Sequence, residues 1–246
     1  IAGGDEAYAV EVMDGLEIGI QFWYGDDEFS LSDMTDAYKQ GDQSFLSEQL
    51  KEEIELNLKN SEQTILFLNR RGANPLVGCR SCGYVAKCPN CDIPLTFHKT
   101  SNTMRCHYCG YGSGKITVCP SCKSSEMNYF GMGTEKLSEW IEENIVGSKV
   151  IRMDIDTTSN KGAHEKIINL FKREEYNILV GTQMIAKGLD FPNVTLVGVV
   201  SGDSSLNIPD FRSAERTFQL LNQVAGRAGR SEKTGKVIIQ GFNMNH

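Results

Sequence analysis

The sequence predicts an α/β protein with a mainly parallel sheet flanked by helices, into which a small cysteine-rich module is inserted. Three observations predict this fold. Short apolar runs typical of buried strands alternate with amphipathic helices. All eight cysteines lie in four C-x-x-C pairs between Cys79 and Cys122. The 246 residues, 40% of them hydrophobic, suffice for one large core and a smaller module.

The N-terminal segment, residues 1–29, is not assigned to any element of the predicted α/β fold. Apolar and polar residues alternate on both sides of Asp14-Gly15, a pattern typical of a hairpin. Because the chain begins at Ile1 without a methionine, we expect a fragment of a longer protein.

The lobe itself is expected over residues 30–78 and 126–246, on either side of a cysteine module at 79–125. Leu46, Leu50, Ile54 and Leu58 recur four residues apart and predict a helix. Further helices are predicted at 131–145, with Thr134 as the N-cap, and at 164–174, and a helix with its loop is predicted at 215–230. Buried strands are predicted at 63–69, 149–154, 176–182, 194–200 and 235–242.

The spacing of the cysteines predicts two zinc sites. In a reducing cytoplasm, C-x-x-C pairs bind metal, and two pairs supply the four thiolates of a tetrahedral Zn²⁺ site. Fourteen residues separate the second pair from the third, a ribbon spacing that favours a nested arrangement over a sequential one. Site 1 is then Cys79, Cys82, Cys119 and Cys122, and site 2 is Cys88, Cys91, Cys106 and Cys109, with His98 and His107 outside both.

The charge distribution argues against indiscriminate binding to polyanions. The whole chain carries a formal charge of −7, and its pI is near 5.2. The cysteine module carries six basic residues and one acid, but ligating two Zn²⁺ through eight thiolates leaves it near +1. The sequence holds neither a long apolar run nor a signal-peptide pattern, so we expect a soluble cytoplasmic protein without membrane contact.

One glycine-rich stretch, 109–115, resembles a phosphate-binding loop but does not match it. The pattern G-x-x-x-x-G-K-[ST] requires glycine where Cys109 stands and a hydroxyl residue where Ile116 stands. We therefore expect this stretch to link the two zinc sites. By contrast, Q-x-x-G-R-x-G-R at 223–230 places Arg227 and Arg230 about one turn apart, where a guanidinium can stabilise a transferring phosphoryl group.

The segments 181–194 (GTQMIAKGLDFPNV) and 215–230 (ERTFQLLNQVAGRAGR) resemble motifs V and VI of superfamily two helicases. Together with 67–72 (FLNRRG) and the cysteine insert, they resemble the PriA family of replication-restart helicases over residues 31–246. The resemblance implies the second RecA-like lobe, with a double-zinc insert, of an ATP-dependent 3′-to-5′ DNA helicase that restarts stalled forks and assembles the primosome.

The resemblance also implies cofactors and partners. The implied cofactors are two Zn²⁺ and, in the full-length protein, also ATP and Mg²⁺. The partners would be single-stranded and forked DNA, primosome proteins, the single-stranded DNA-binding protein and the replicative helicase loader, in the nucleoid-associated bacterial cytoplasm. A non-motor zinc-ribbon adaptor that binds DNA or replication proteins is the alternative.

Individual roles follow from the same resemblance. Arg230 would be the arginine finger, with Arg227 beside it, and a structural salt bridge is the alternative role for either Arg70 or Arg71. Since no Walker A loop is present, we expect this chain alone to be inactive as an ATPase. The implied residues are Arg230, Arg227 and Gln223 for catalysis, Gly188, Asp190, Gly226 and Gly229 for the nucleotide, and Thr182, Gln183, Arg70, Arg71 and Lys187 for DNA.

Overall fold

The lobe is built on a six-stranded parallel sheet with helices on both faces. The structure is a computed structural model that describes residues 28–35, 44–68, 77–98, 101–128, 133–185, 190–202, 212–228 and 234–241. In chain order the elements are β1 (Glu28–Asp33), α1 (Glu48–Lys59), β2 (Gln63–Phe67), β3 (Gly78–Cys79), β4 (Thr96–His98), β5 (Thr103–Arg105), β6 (Gly112–Gly114), β7 (Met127–Asn128), α2 (Thr134–Asn144), β8 (Val150–Met153), α3 (Ala163–Lys172), β9 (Ile178–Gly181), β10 (Val194–Val199), α4 (Ser213–Ala225) and β11 (Lys236–Gly241).

The strand order of the large sheet is β1-β11-β10-β2-β9-β8, and every neighbouring pair is parallel. The predicted α/β fold with a mainly parallel sheet is therefore confirmed. Strand β1 is an addition that the sequence pattern did not predict. It lies at the edge of the sheet and pairs with β11 along six residues. The predicted hairpin around Asp14-Gly15 lies outside the described residues.

Two apolar clusters fill the two faces of the sheet. On one face α3 and α4 pack against the strands, with Phe171 and Val224 fully buried. On the other face α1 and α2 pack, with Leu50, Ile54 and Ile141 fully buried. Alternate strand residues serve opposite faces, as the period of a strand requires. No helix in the described ranges is long and apolar enough to cross a bilayer.

The predicted N-cap of α2 is wrong. The capping position is occupied by Gly133, which makes no side-chain cap hydrogen bond, and Thr134 is the first helical residue. The Thr134 hydroxyl instead donates to the carboxylate of Asp154 at the end of β8. A capping hydroxyl accepts a hydrogen bond from a backbone N–H of the first turn, whereas the Thr134 hydroxyl lies one position inside the helix and donates to a carboxylate, which is a strong acceptor.

The cysteine-rich insert lies in the connection between β2 and α2 and has its own small core. Strands β3 and β7 pair antiparallel where the insert begins and ends, and β4, β5 and β6 form a three-stranded antiparallel sheet. Met104, Leu95 and Phe97 are buried together with cysteines of the second site. The insert therefore combines a limited apolar core with its cysteine clusters.

The close contact of β10 with the helical layer gives a stability prediction. A Cβ on Gly198 would lie 2.7 Å from Leu66 Cδ2 and 2.9 Å from Leu50 Cδ1, and both leucines are fully buried. We expect Gly198→Ala to lower the free energy of unfolding by about 1–3 kcal/mol through overpacking. Urea unfolding measures this, with Gly114→Ala as the control because nothing lies within 4 Å of its added methyl. Equal stability of the two variants would contradict the prediction.

Candidate metal centres and motor loops

Each C-x-x-C pair forms the same backbone turn. The backbone N–H of the first cysteine donates to the carbonyl of the residue five positions later, at 2.7–2.8 Å. The carbonyl of the first cysteine accepts from the N–H of the residue four positions later, at 2.9–3.0 Å. The residue that follows the second cysteine has a positive φ in all four turns. These residues are Gly83, Asp92, Gly110 and Lys123, with φ of 71°, 55°, 75° and 63°. Glycine adopts this conformation readily, and the cysteine turns impose it on Asp92 and Lys123 as well.

The eight sulfurs form two groups of four in the nested arrangement. The first contains Cys79, Cys82, Cys119 and Cys122, the second Cys88, Cys91, Cys106 and Cys109, and the ligand atoms within each group lie within 4.8 Å of one another. The Sγ–Sγ distances from Cys79 to Cys122, from Cys82 to Cys119 and from Cys88 to Cys109 are 3.6, 3.7 and 3.5 Å. A tetrahedral ion with Zn–S bonds of about 2.3 Å separates its sulfurs by about 3.8 Å, so the spacing fits zinc.

The electrostatics of the thiols also favour a cation. Burial raises the pKa of Cys79 to about 12. By contrast, the backbone N–H of Tyr111 is the main cause that lowers the pKa of Cys109 to about 6, and the N–H of Ser124 lowers the pKa of Cys122 to about 7. Within one cluster the ionised thiols oppose ionisation of the others. A bound divalent ion supplies the positive charge that allows all four to be thiolates.

The two histidines of the insert lie outside both sulfur groups. The rings of His98 and His107 contact each other with their centroids 5.1 Å apart. Each cluster already holds the four ligands that a structural zinc site takes.

The loop after β9 lies at the carboxyl edge of the large sheet. Thr182 and Gln183 follow the end of this strand directly, and both are half-buried. The Leu68 N–H donates to the Gly181 carbonyl, and the Thr182 N–H donates to the Met153 carbonyl. The ends of β2, β8 and β9 therefore meet at the start of this loop. Asp190 is exposed, whereas Arg70, Arg71, Lys187 and Gly188 lie outside the described residues.

The second predicted motif lies at the end of α4. Gln223 is exposed on the last turn, and Gly226 closes the helix as its C-cap, its N–H donating to the Asn222 carbonyl. Arg227 is half-buried just beyond this cap, with its backbone N–H donating to the Val224 carbonyl. Gly229 and Arg230 lie outside the described residues.

A buried carboxylate beside the β9 loop was missed by the sequence analysis. Asp154 is 5% exposed, and one of its carboxylate oxygens accepts hydrogen bonds from Thr134 and from the Arg152 guanidinium. The other oxygen accepts from the Thr157 N–H at 2.9 Å. Burial would raise the pKa of Asp154, but the bonds from Thr134 and Thr157 and the charge of Arg152 together hold that pKa below its ordinary value. The spacing D-x-x-T at 154–157 was the local signal for this turn.

The lowered pKa of Asp154 predicts how its contribution to stability changes with pH. A carboxylate with a depressed folded-state pKa stabilises the fold above its unfolded pKa of about 3.8, and this stabilisation is lost as pH falls through the folded value. We expect Asp154→Asn to cost about 1.5–3 kcal/mol at pH 7. Urea unfolding of both proteins from pH 7 to pH 2.5 should show the difference shrinking below about pH 4. A difference independent of pH would contradict the ionised state.

Comparisons with known proteins match both parts of the chain. Residues 88–113, which include all four cysteines of the second group, match the family described as the PriA DNA helicase Cys-rich region (CRR) domain. Residues 114–232 match the helicase conserved C-terminal domain. The sulfur clusters and the matched Cys-rich region together support two zinc ions.

Two similar proteins carry the same name. The replication restart protein PriA of Bacillus subtilis (strain 168) is 52% identical over 219 residues, which cover 89% of this chain and 27% of that protein. The protein of the same name from Synechocystis is 48% identical over 219 residues, covering 87% and 26%. This chain thus spans about a quarter of the length of these relatives. Among solved structures, the Pyrococcus furiosus Hef helicase domain matches with 20% identity and a TM-score of 0.40, covering 85% of this chain and 28% of that one.

Proposed function

Since the chain is a homologue of the replication restart protein PriA, we propose that it forms the second motor lobe, with its zinc-binding insert, of an ATP-dependent DNA helicase. One observation carries the proposal. A single parallel sheet presents the GTQ loop at its carboxyl edge, and the connection from β2 to α2 holds two four-cysteine clusters. The proposed units are the lobe at 30–78 and 126–246 and the insert at 79–125.

The proposed role toward ATP is to supply some of the residues of a nucleotide site, whose other residues would come from another lobe of the full-length protein. Arg230 would contact the γ-phosphoryl group as an arginine finger, with Arg227 and Gln223 beside it. Gly188, Asp190, Gly226 and Gly229 would line the nucleotide side of the lobe. No G-x-x-x-x-G-K-[ST] sequence occurs in the 246 residues, and in this proposal the principal contacts to ATP and Mg²⁺ would come from elsewhere in the full-length protein. We expect this chain alone to be inactive as an ATPase.

The proposed DNA contact is the carboxyl edge around the β9 loop. The Thr182 hydroxyl and the Gln183 amide are groups that bind phosphate oxygens without reading sequence. Arg70, Arg71 and Lys187 would add positive charge to the same surface. Binding and hydrolysis of the nucleotide would then alter these contacts to the DNA backbone and move the protein 3′ to 5′ along one strand.

The proposed partners act at a replication fork. The lobe would bind single-stranded and forked DNA. The zinc insert would contact primosome proteins. The full-length protein would also bind the single-stranded DNA-binding protein and the replicative helicase loader. Restart of stalled forks and assembly of the primosome are the proposed outcomes.

A chimaeric protein tests the motor proposal. The matching segment of the Bacillus subtilis relative would be replaced by this chain, and DNA-stimulated ATP hydrolysis and displacement of a strand on a 3′-tailed fork would be measured against the unmodified relative. We expect both activities to be present. A chimaera that contains two zincs and binds forked DNA, yet neither hydrolyses ATP nor displaces a strand, would overturn the motor proposal and favour the non-motor adaptor.

A further inference from the structure

We propose that Asp154 is a positioning residue that couples the zinc insert to the β9 loop, Thr182–Ile185. The functional meaning of this coupling rests on the proposed function, in which the β9 loop contacts DNA. The coupling itself is a property of the folded chain that is measured without DNA or nucleotide. Four steps carry it: three are contacts, and the first also uses the covalent chain from β7 to α2.

The first step connects the zinc cluster to the end of the insert. Cys79, a member of the first sulfur group, pairs with Met127 across the β3–β7 ladder, and the Arg80 N–H donates to the Glu126 carbonyl. The strand that ends the insert is therefore bonded directly to one of the cysteine turns. Helix α2 begins at Thr134, six positions after the last residue of β7.

The second step attaches the start of α2 to the end of β8. The Thr134 hydroxyl donates to Asp154, and the next residue, Glu135, forms an ion pair with Arg152 at 3.6 Å. Arg152 in turn donates to the same Asp154 oxygen, through Nε at 3.2 Å and Nη2 at 3.1 Å. Two neighbouring residues of α2 thus reach a single buried carboxylate, one directly and one through an arginine.

The third step is a turn that Asp154 organises. Its carboxylate accepts from the Thr157 N–H, and its own N–H donates to the Thr157 hydroxyl, both at 2.9 Å. Its carbonyl accepts from the Thr158 N–H at 3.0 Å and also from the Thr158 hydroxyl. Because the carboxylate is buried, loss of the Thr134 or Thr157 donor leaves it with fewer hydrogen bonds beside Arg152, which makes the arrangement sensitive to small displacements.

The fourth step joins this turn to the β9 loop. The Thr158 hydroxyl lies 3.3 Å from the sulfur of Met184. The Thr182 N–H donates to the carbonyl of Met153, the residue before Asp154, at 3.3 Å. A change at the cysteine cluster can therefore be transmitted through α2 and Asp154 to the loop that carries Thr182 and Gln183.

Hydrogen exchange on the full chain, with zinc bound and after chelation, tests this coupling. In the unaltered chain we expect chelation to increase exchange in peptides covering 154–158 and 182–185 by about tenfold, the change that follows from losing one hydrogen bond to a charged group. Thr134→Val removes the donor to Asp154 at nearly constant volume. In this variant both peptides should exchange rapidly whether or not zinc is present.

Two further variants make the result decisive. Thr134→Ser keeps the hydroxyl and should retain the response to zinc. Thr217→Val is the matched control, because the hydroxyl of this buried threonine bonds within its own helix, to the Ser213 carbonyl. The control should respond as the unaltered chain does. A β9 loop that does not change on chelation in the unaltered chain would overturn the proposal, and so would a Thr134→Val variant that still responds. Neither outcome bears on the motor proposal, which the chimaera tests separately.

Discussion

Replacing Arg230 by alanine should abolish DNA-stimulated ATP hydrolysis in a chimaera that carries this chain. An arginine finger contributes about 10³ to 10⁵ in rate, because its guanidinium stabilises charge that develops on the transferring phosphoryl group. We therefore expect a fall of about a thousandfold or more, with little change in the amount of ATP bound. Steady-state hydrolysis and nucleotide-binding assays on the same protein separate these two effects.

The controls distinguish a finger from a surface arginine. Arg230→Lys retains one positive charge but loses the planar fork of donors, so it should remain strongly impaired. Arg173→Ala removes an exposed arginine at the end of α3 and should leave hydrolysis unchanged. If Arg230→Ala hydrolyses ATP as fast as Arg173→Ala, the finger assignment is wrong even if the chimaera remains an active helicase.

Removal of one complete cysteine cluster should eliminate one zinc and leave the other. In the nested arrangement, a variant with Cys88, Cys91, Cys106 and Cys109 all changed to serine keeps the other group whole. Elemental analysis should find about one zinc per chain where the unaltered chain has about two. The apparent folding free energy that a structural zinc supplies is about 10–16 kcal/mol, so the β4–β6 sheet should unfold while the large parallel sheet persists.

A matched variant excludes the sequential arrangement of ligands. Serine at Cys79, Cys82, Cys88 and Cys91 removes the same number of thiols but takes two from each nested cluster. This variant should therefore hold no tightly bound zinc. If it holds one zinc and the first variant holds none, the ligands are paired sequentially. Limited proteolysis with mass spectrometry shows in parallel whether the lobe remains folded when the insert does not.

The central sheet was predictable because its strands are apolar on both faces. Residues 63–67 and 194–199 are buried along their whole length, and both segments are mostly apolar, with Gln63, Thr64 and Thr195 as their polar members. Strand β1 gave no such signal. As an edge strand it has one neighbour, and its Leu31 stands between Ser30 and Ser32, all three half-buried. A short polar alternation of this kind is typical of loops as well as of edge strands.

The candidate site was predictable to the extent that its parts are local in sequence. The spacing of the cysteines favoured the grouping that the sulfur positions show, since each pair forms one turn. The Asp154 arrangement joins residues twenty positions apart across α2 and β8, and no local pattern encodes that contact. The error at Thr134 has the same origin. A threonine hydroxyl can accept from a nearby backbone N–H, as in a cap, or donate to a distant carboxylate, and its neighbours in the chain do not distinguish the two roles.

The antiparallel pairing of Gly78 with Asn128 has a consequence for how this protein can diversify. The two places where the insert leaves the lobe stand side by side, about 5 Å apart, as opposite residues of an antiparallel ladder do. Everything between them can lengthen, shorten or be exchanged without altering the span that the lobe must bridge. The metal-binding insert can thus vary while the large sheet keeps its strand order, and a short β-turn that joins Gly78 to Asn128 would give a minimal lobe without the insert.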